Sequence, residues 1–309
     1  MNTQHKYYTL DYHLKNKYNT KVFKVALNGD FDCPNRDGTV STKGCIFCSE
    51  SGSGDFAGNK QDTLQVQFDT VKNIIHQKWK DASYIVYFQA NTNTYGAIHK
   101  LKTLFEKAIT LDPKIVAISI ATRPDCLSEE ILDYLDDLNK RIPVWIELGL
   151  QTIHQKTADF MNRGYTLDVF EKAVKALREY NITTIVHIIN GFPTESKEMM
   201  IETVEYLNNF NIQGIKIHSL FVLNNTILGN IYKANPFKML TLEEYVDIVV
   251  TQLSILNPDV VVHRVSGDAP RKDLLAPLWS LKKLVVMNEI DKEMKKRDFI
   301  QGCNYKKKR

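Results

Sequence analysis

Short apolar runs alternate with longer amphipathic segments along this chain, and that alternation limits the folds open to it more than any other feature. Apolar runs of strand length separated by helix-sized segments predict strands joined by helical crossovers, and such strands lie parallel. The predicted strands cover residues 22–27, 84–88, 116–120, 144–150, 184–189, 215–221 and 260–265. The predicted helices cover residues 96–109, 128–140, 166–180, 196–210 and 241–256.

Six strand and helix units in order predict an α/β fold, a partial (βα)6 barrel of the TIM type with short amino- and carboxyl-terminal extensions. A doubly wound open sheet is the alternative, but no G-x-G-x-x-G follows a predicted strand. No long linker rich in Pro, Gly or Ser divides the chain, so we expect a single domain over residues 1–309. Its barrel core covers about residues 20–265, and a basic extension covers about residues 266–309.

The composition is that of an ordinary globular protein, with 43% hydrophobic and 25% charged residues among 309. No stretch approaches the roughly 20 apolar residues of a membrane span, so no membrane is expected as a partner. The polar and basic start does not resemble a signal peptide, and the five cysteines are an odd number. We therefore expect reduced thiols and a cytoplasmic protein.

The net charge of +4 is unevenly distributed along the chain. Residues 1–24 carry +4 and residues 292–309 carry +6, which leaves −6 for residues 25–291. Two basic ends suit contact with the phosphates of a nucleic acid, because each lysine adds salt-sensitive affinity. Terminal lysine runs are also typical of solvated tails, so charge alone leaves both interpretations open.

Three cysteines follow the first predicted strand in the arrangement C-x11-C-x2-C, namely Cys33, Cys45 and Cys48. Loops that leave the carboxyl ends of barrel strands form active sites, so these thiols are expected at the chemical end of the fold. Structural zinc needs four protein ligands, and no histidine lies between His13 and His76 to complete such a set. An iron-sulfur cluster, a catalytic zinc ion and unligated cysteines remain as interpretations of the spacing.

The residues around these cysteines favour a bulky occupant. Gly38, Gly44, Gly52 and Gly54 make the loop flexible enough to wrap around one. Thiolates are soft ligands that suit iron-sulfur sites. An iron-sulfur cluster is therefore the preferred interpretation, with zinc second.

The cysteine loop, CPNRDGTVSTKGCIFCSESGSGDFAG, resembles the cluster loop of the radical S-adenosylmethionine superfamily. Most members have C-x3-C-x2-C, and the longer first gap is similar to that of the branch containing the catalytic subunit of the eukaryotic Elongator complex. Further similar strings follow in order, namely YFQANTNTYG, ATRPDCL, WIELGLQT, HIINGFPTE, IKIHSLFVLNNT and HRVSGDAP. The resemblance covers nearly the whole chain and is strongest to a bacterial branch of about this length.

The resemblance implies two cofactors, a 4Fe-4S cluster and S-adenosylmethionine. Cys33, Cys45 and Cys48 would ligate three irons, and the amino and carboxylate groups of S-adenosylmethionine would occupy the fourth. The resemblance assigns cofactor contacts to Phe47, Gln89, Asn91, Thr92, Arg123, Asp125, Gln151, Arg163 and Asn190.

Some of these contacts have specific expected roles. Phe47 would pack against adenine or anchor the loop in the core, Gln151 would bind ribose, and Arg163 would pair with the cofactor's carboxylate. The superfamily's Gly-Gly-Glu motif is replaced by the residues 89–92, QANT, so backbone groups or amides would bind the methionine amino group. Arg123 and Asp125 would contact a ligand or pair with each other to shape a turn.

Two departures from the Elongator relative bear on the site. The glutamate that precedes its T-R-P-D string is Ala121 here, which puts a carboxylate contact at that position in doubt. Cys126 follows the same string and is interpreted as a structural thiol and not as a fourth ligand.

Three histidines on late strands, His187, His218 and His263, are candidate catalytic residues on the substrate side. A single histidine at such a position is more often a hydrogen-bonded core residue. Three on neighbouring strands favour a shared site.

The resemblance implies reductive cleavage of S-adenosylmethionine to a 5′-deoxyadenosyl radical, with electrons from an external donor of the flavodoxin or ferredoxin type. The implied partner is tRNA, and the implied reaction converts a carboxymethylaminomethyl side chain on the wobble uridine to aminomethyl. Acetyl transfer is not implied, because the chain is much shorter than the Elongator relative. A radical enzyme acting on a small metabolite or a protein, and a non-catalytic zinc or iron-sulfur protein, remain as alternatives.

Overall fold

The computed structural model describes residues 5–52 and 57–307. Gly54 of the cysteine loop and Lys308 and Arg309 of the basic carboxyl terminus lie outside these residues. All seven predicted strands are present, and two further short strands were not predicted. The strands are β1 (Val22–Leu27), β2 (Ser83–Phe88), β3 (Ile115–Thr122), β4 (Val144–Gln151), β5 (Thr183–Asn190), β6 (Gly214–Ser219), β7 (Val222–Leu223), β8 (Val261–Arg264) and β9 (Leu274–Ala276).

Seven strands form one parallel sheet in the order β1-β2-β3-β4-β5-β6-β8. A single cavity is lined by side chains from all seven, which requires the sheet to curl around it. The fold is therefore a partial barrel of the TIM type, as predicted, with β1 and β8 as its edges. The strands β7 and β9 pair antiparallel in a separate two-stranded sheet beside it.

The five predicted helices are present within three residues of their expected ends. The helices of the described residues are α1 (Leu10–Tyr18), α2 (Leu64–His76), α3 (Ile98–Ile109), α4 (Glu129–Asn139), α5 (Gln155–Phe160), α6 (Leu167–Glu179), α7 (Lys197–Leu207), α8 (Ile227–Ala234), α9 (Leu242–Ile255) and α10 (Lys283–Lys296). The predicted helices correspond to α3, α4, α6, α7 and α9. None of the helices in the described residues has both the length and the apolar composition of a membrane span.

The helix α1 covers the amino-terminal ends of the strands. Leu14, its one buried residue, packs in an apolar cluster formed by the first residues of the strands, namely Val22, Ile85, Ala117, Trp145 and Ile185. The Tyr18 hydroxyl donates a hydrogen bond of 3.4 Å to the carbonyl of Val116 on β3. This helix and its apolar layer therefore close the end of the barrel opposite the cysteine loop.

The two ends of the chain meet at the open edge of the sheet. The amide of Val262 on β8 donates to the carbonyl of Tyr8 at 2.8 Å. Gln301 donates from its side-chain amide to the carbonyl of Val260 at 2.8 Å and accepts from the amide of Tyr8 at 2.8 Å. Because α1 covers the amino-terminal ends of the strands, its lysines lie at the closed end of the barrel.

Replacing Leu14 with Ala should lower the free energy of unfolding by about 3 kcal/mol, because it removes buried methyl groups from the closed end and leaves a cavity. Leu284→Ala is the matched control, since Leu284 is 75% exposed. Urea denaturation of both variants measures the difference. Equal, small losses would show that α1 contributes no packing to the barrel.

Candidate active site

A cavity of about 740 Å³ runs inside the barrel. Residues 28–52, which follow β1 and include most of the cysteine loop, border it at the carboxyl ends of the strands, where the amide of Thr92 donates to the carbonyl of Asp32 at 3.1 Å. The amide of Ile46 in the loop donates to the carbonyl of Met161 at 3.0 Å. Loop and barrel thus enclose one common space.

Backbone contacts of the loop explain one of its glycines. Gly52 has a φ of +63° and its carbonyl accepts a hydrogen bond of 2.9 Å from the amide of Asn91. A Cβ at this position would lie 1.9 Å from Oδ1 of Asn91, so no larger residue fits. Arg36 braces the same segment by donating to the carbonyls of Glu50, at 3.0 Å, and Ser49.

The three motif cysteines are half-buried, and all of them line the cavity. The amide of Cys48 donates to the carbonyl of Cys45 at 3.0 Å, and Nδ2 of Asn35 lies 3.5 Å from the Cys45 sulfur. A hydrogen bond with Cys48, together with burial, raises the pKa of Cys45 well above its ordinary value. Without a metal the Cys45 thiol therefore stays protonated, and metal binding would release its proton.

The donor set fits a cluster better than a single metal ion. No group of three Cys, His, Asp or Glu side chains within residues 5–52 and 57–307 is arranged to hold one ion. A cluster accepts soft thiolates at separate corners, so its ligands need not converge on one point. Cys33, Cys45 and Cys48 would then hold three corners, and the fourth would face the cavity.

The segment that replaces the Gly-Gly-Glu motif is bent sharply toward the cavity. Ala90 and Asn91 both have positive φ, +82° and +55°. Gln89, Asn91 and Thr92 line the cavity, as expected of cofactor contacts. Nδ2 of Asn91 donates to the carbonyl of Phe31 at 3.0 Å, while its buried Oδ1 has no hydrogen-bond partner in the described part of the chain. That oxygen lies beside Gly52, on a residue that lines the cavity.

Gln151 and Arg163 also line the cavity, and Arg163 in addition holds the backbone around it by hydrogen bonds. Its guanidinium is 1% exposed and donates from Nη1 to the carbonyls of Leu150 and Thr152, both at 2.7 Å. Only Nη2 lacks a partner among the described residues. One amino group is thus left for the cofactor's carboxylate. Gln151 ends β4 with a φ of +63° and accepts from the Tyr165 hydroxyl at 3.3 Å.

Arg123 and Asp125 form the pair that shapes a turn. Two parallel hydrogen bonds of 2.9 and 2.7 Å join them, and Nη1 of Arg123 donates to the carbonyl of Arg163 at 2.9 Å. Arg123 reaches the cavity wall, whereas Asp125 is not among the lining residues. This geometry favours the turn-shaping interpretation over a ligand contact by Asp125.

Asn190 lies buried behind the cavity wall and does not line it. Its amide group exchanges two hydrogen bonds, of 2.8 and 3.0 Å, with the amide of Gln252 on α9.

Phe47, by contrast, lines the cavity and packs edge-on against Phe192 with ring centroids 6.0 Å apart. Phe47 therefore anchors the loop while one part of its ring still faces the cavity.

A charged layer that was not predicted from the sequence lies deeper in the barrel. Its centre is Glu147 on β4, which is 1% exposed. The carboxylate accepts hydrogen bonds from four side chains, namely Lys24, Ser119 at 2.7 Å, His187 at 2.7 Å and Lys216. The signal in the sequence is a charged residue in the middle of each apolar strand, VFKVAL, WIELGLQ and GIKIHS.

The predicted histidines join this layer. His187, His218 and His263 all line the cavity, and the rings of His187 and His218 lie 5.3 Å apart. Burial, with the charge of Lys216 next, lowers the pKa of His187 to about 4, and burial lowers the pKa values of His218 and His263 well below the ordinary range. All three rings are therefore neutral near pH 7.

Burial also acts on the charged groups. It lowers the pKa of Lys216 to about 7, although Glu147 raises it. Burial by itself would raise the pKa of Glu147, but Lys216 and Lys24 overcome that effect and hold it well below the ordinary value. The site thus keeps its carboxylate ionised beside two lysines, of which Lys216 is only partly protonated near pH 7.

Comparisons with known proteins identify the family of this chain. Residues 38–207 match the family model described as the Radical SAM superfamily, and residues 212–296 match a Radical_SAM C-terminal domain. The chain is 48% identical over 301 residues to the uncharacterized protein YtqA of Bacillus subtilis, covering 97% of this chain and 93% of that protein. It is 32% identical over 280 residues to the protein YhcC of Escherichia coli K12, covering 90% and 89%.

More distant relatives share about half of the chain or only its fold. A tRNA uridine(34) acetyltransferase of Methanocaldococcus jannaschii is 28% identical over 164 residues, covering 52% of this chain and 30% of that protein. The solved structure of an archaeal Elp3 from Methanocaldococcus infernus has a TM-score of 0.66 at 18% identity, covering 91% of this chain and 64% of that one. The family match, the cysteine loop and the curled sheet agree: this chain belongs to the radical S-adenosylmethionine superfamily, whose enzymes use a 4Fe-4S cluster and S-adenosylmethionine.

Proposed function

We propose that this enzyme modifies the wobble uridine of tRNA, converting a carboxymethylaminomethyl side chain to aminomethyl. S-adenosylmethionine would serve as the two-electron oxidant of the C–N bond to the carboxymethyl group, and hydrolysis of the resulting imine would release those two carbons as glyoxylate. One observation carries the proposal: the motif cysteines and the charged layer around Glu147 open onto the same cavity. Its volume of about 740 Å³ is that of a small-molecule site, which usually measures about 300–1,000 Å³. Cofactor and substrate groups can therefore meet inside one enclosure.

When bound and reduced, the cluster and S-adenosylmethionine supply reductive cleavage of the sulfonium and abstraction of a hydrogen atom from an unactivated carbon. Cys33, Cys45 and Cys48 would hold the cluster. Asn91 and the free Nη2 of Arg163 offer an acceptor and a donor for the two ends of an amino acid moiety. We assign the ribose contact to Gln151 and an adenine contact to Phe47.

The rest of the barrel orients the substrate and excludes water. The helix α1 and its apolar layer cover the far end of the barrel, where Leu14 is buried. His187, His218 and His263, neutral near pH 7, form hydrogen-bonding groups on the substrate side of the cavity. Electrons have to come from another protein, and we propose a donor of the flavodoxin or ferredoxin type.

The names of the relatives support tRNA as the partner, whereas the basic residues of the amino terminus do not lie near the cavity mouth. One relative is named for tRNA uridine(34), and others are named Elongator complex protein 3, as in Saccharomyces cerevisiae. This chain covers 30% of the former, and acetyl transfer is not part of the proposal. The lysines on α1 lie at the closed end of the barrel, so phosphate contacts near the cavity mouth must use other cations. Lys43, exposed in the cysteine loop, is one of them.

The ligand assignment predicts the behaviour of two cysteine variants after anaerobic reconstitution with iron and sulfide. Cys48→Ala should lose the visible absorbance of the cluster and form no 5′-deoxyadenosine on reduction, because a cluster corner loses its thiolate. Cys126→Ala is the matched control, since Cys126 is a half-buried thiol outside the motif, and it should retain both signals. Continued 5′-deoxyadenosine formation by Cys48→Ala would refute the assignment.

The proposed reaction predicts the tRNA of cells that lack the gene. Carboxymethylaminomethyluridine should accumulate at the wobble position and aminomethyluridine should fall, as measured by mass spectrometry of tRNA nucleosides. Complementation with the wild-type gene should restore the profile, and complementation with Cys48→Ala should not. An unchanged profile, with 5′-deoxyadenosine still formed by the purified protein, would indicate a metabolite or protein substrate instead.

A further inference from the structure

We propose that Lys24, Lys216, His218 and His263 form a receptor for a carboxylate of the substrate, deep in the cavity. The receptor assumes the proposed function in one respect, because it requires the substrate to enter this cavity. It adds the part of the substrate that is recognised and the residues that recognise it.

The first support is the charge of the layer. Glu147 is a single carboxylate between two ammonium groups, those of Lys24 and Lys216. The other acidic residue that lines the cavity in the described part of the chain is Asp268, and it already pairs with Arg264 at 3.0 Å and with Lys283 at 3.1 Å. When both lysines are protonated, one positive charge therefore lacks a counter-ion. A buried charge without a partner is costly, and a ligand carboxylate would remove that cost.

The second support is unused hydrogen-bonding capacity. Besides Glu147, Lys216 donates to the Tyr87 hydroxyl at 3.3 Å, and Lys24 donates to the Ser119 hydroxyl at 3.3 Å. An ammonium group has three donors, so the contacts seen among the described residues leave one on each lysine. A carboxylate has two oxygens, each of which can accept from one of them.

The third support comes from two histidine nitrogens. Nε2 of His218 and Nδ1 of His263 are buried and have no hydrogen-bond partner in residues 5–52 and 57–307. Both rings line the cavity. Buried polar atoms without a partner are rare in folded proteins, and each calls for an explanation. An anion that accepts hydrogen bonds from these rings would provide it.

Depth in the barrel favours the substrate over S-adenosylmethionine as the source of the carboxylate. Glu147 precedes Gln151 by four residues, about 13 Å along a strand at about 3.3 Å per residue. The cysteine loop and Arg163 lie at the Gln151 end, where the cofactor's own carboxylate is expected. A carboxylate in the deep layer therefore belongs to a second molecule.

The proposed substrate carries such a group and the proposed product does not. The carboxymethylaminomethyl side chain ends in a carboxylate, whereas aminomethyl ends in an amine. A receptor with surplus positive charge would bind the former and repel the latter, so it would both select the substrate and release the product. Burial keeps the pKa of Lys216 near 7, and a bound anion would favour its protonated form.

The test compares two anticodon stem-loop RNAs, one with carboxymethylaminomethyluridine at the wobble position and one with the corresponding carboxamide. The reconstituted wild-type enzyme should bind the carboxylate form about tenfold more tightly, as expected for one charge-assisted contact. Lys216→Met should bind both RNAs alike. Lys175→Met, which changes an exposed lysine on α6, should keep the wild-type preference.

Folding and cofactor binding are checked in the same variants. Glu147 keeps three partners when Lys216 is replaced, so we expect Lys216→Met to fold, and His218→Gln is a milder second variant that should reduce the preference. Affinity for S-adenosylmethionine should not fall in Lys216→Met, because the receptor lies apart from the Gln151 end of the cavity. Loss of cofactor binding in Lys216→Met would mean that the layer binds the cofactor's carboxylate, which would overturn the proposal.

A small carboxylate separates the receptor from the tRNA hypothesis. Acetate should raise the thermal unfolding midpoint of the wild type and of Lys175→Met relative to chloride at equal ionic strength, but not that of Lys216→Met. If acetate acts in this way and neither RNA binds, the receptor stands and the tRNA substrate is wrong. If the RNAs bind without preference for the carboxylate, or if acetate has no selective effect, the receptor is wrong whatever the substrate.

Discussion

The buried carboxylate of Glu147 is the interaction on which the interior of this barrel depends. It accepts hydrogen bonds from Lys24, Ser119, His187 and Lys216, so one side chain on β4 connects β1, β3, β5 and β6. Removing a carboxylate from water costs several kcal/mol, and only well-placed partners offset that cost. The sheet must therefore curl far enough for strands at both sides to reach one point. The cavity that holds the chemistry is a consequence of that curvature.

Three layers follow from the same geometry. Inward-facing side chains alternate along each strand, so successive inward positions of neighbouring strands form levels across the barrel. The first level is the apolar cluster closed by Leu14 of α1, the next is the charged layer, and the last is the cavity mouth with the cysteine loop. An apolar floor beneath a charged layer keeps solvent from competing for Glu147. It also leaves the cysteine end as the side from which a large substrate can approach.

The order of strands and the loop that carries the thiols were predictable, because both depend on local pattern. Parallel strands that are buried on both faces have continuous Val- and Ile-rich sequences, and the ends of the predicted strands lie within two residues of the observed ends. Lys24 and Lys216 were not recognised, since a lysine in VFKVAL or GIKIHS is equally consistent with an outward position. Asn190 was wrongly predicted to contact the cofactor, because it lies at the end of a strand as a ligand contact would. In the fold its side-chain amide is hydrogen-bonded to Gln252, 62 residues later in the chain.

Residue pattern alone determines that this chain alternates strands with helices, that its sheet is parallel, and that three cysteines follow the first strand. Those features depend on backbone periodicity and on residues close together in the chain. Only the folded barrel decides that Glu147 meets two lysines and that two histidine nitrogens are buried without hydrogen-bond partners among the described residues. Those contacts join residues up to 123 positions apart, and they depend on the curl and stagger of seven strands, which no single segment specifies.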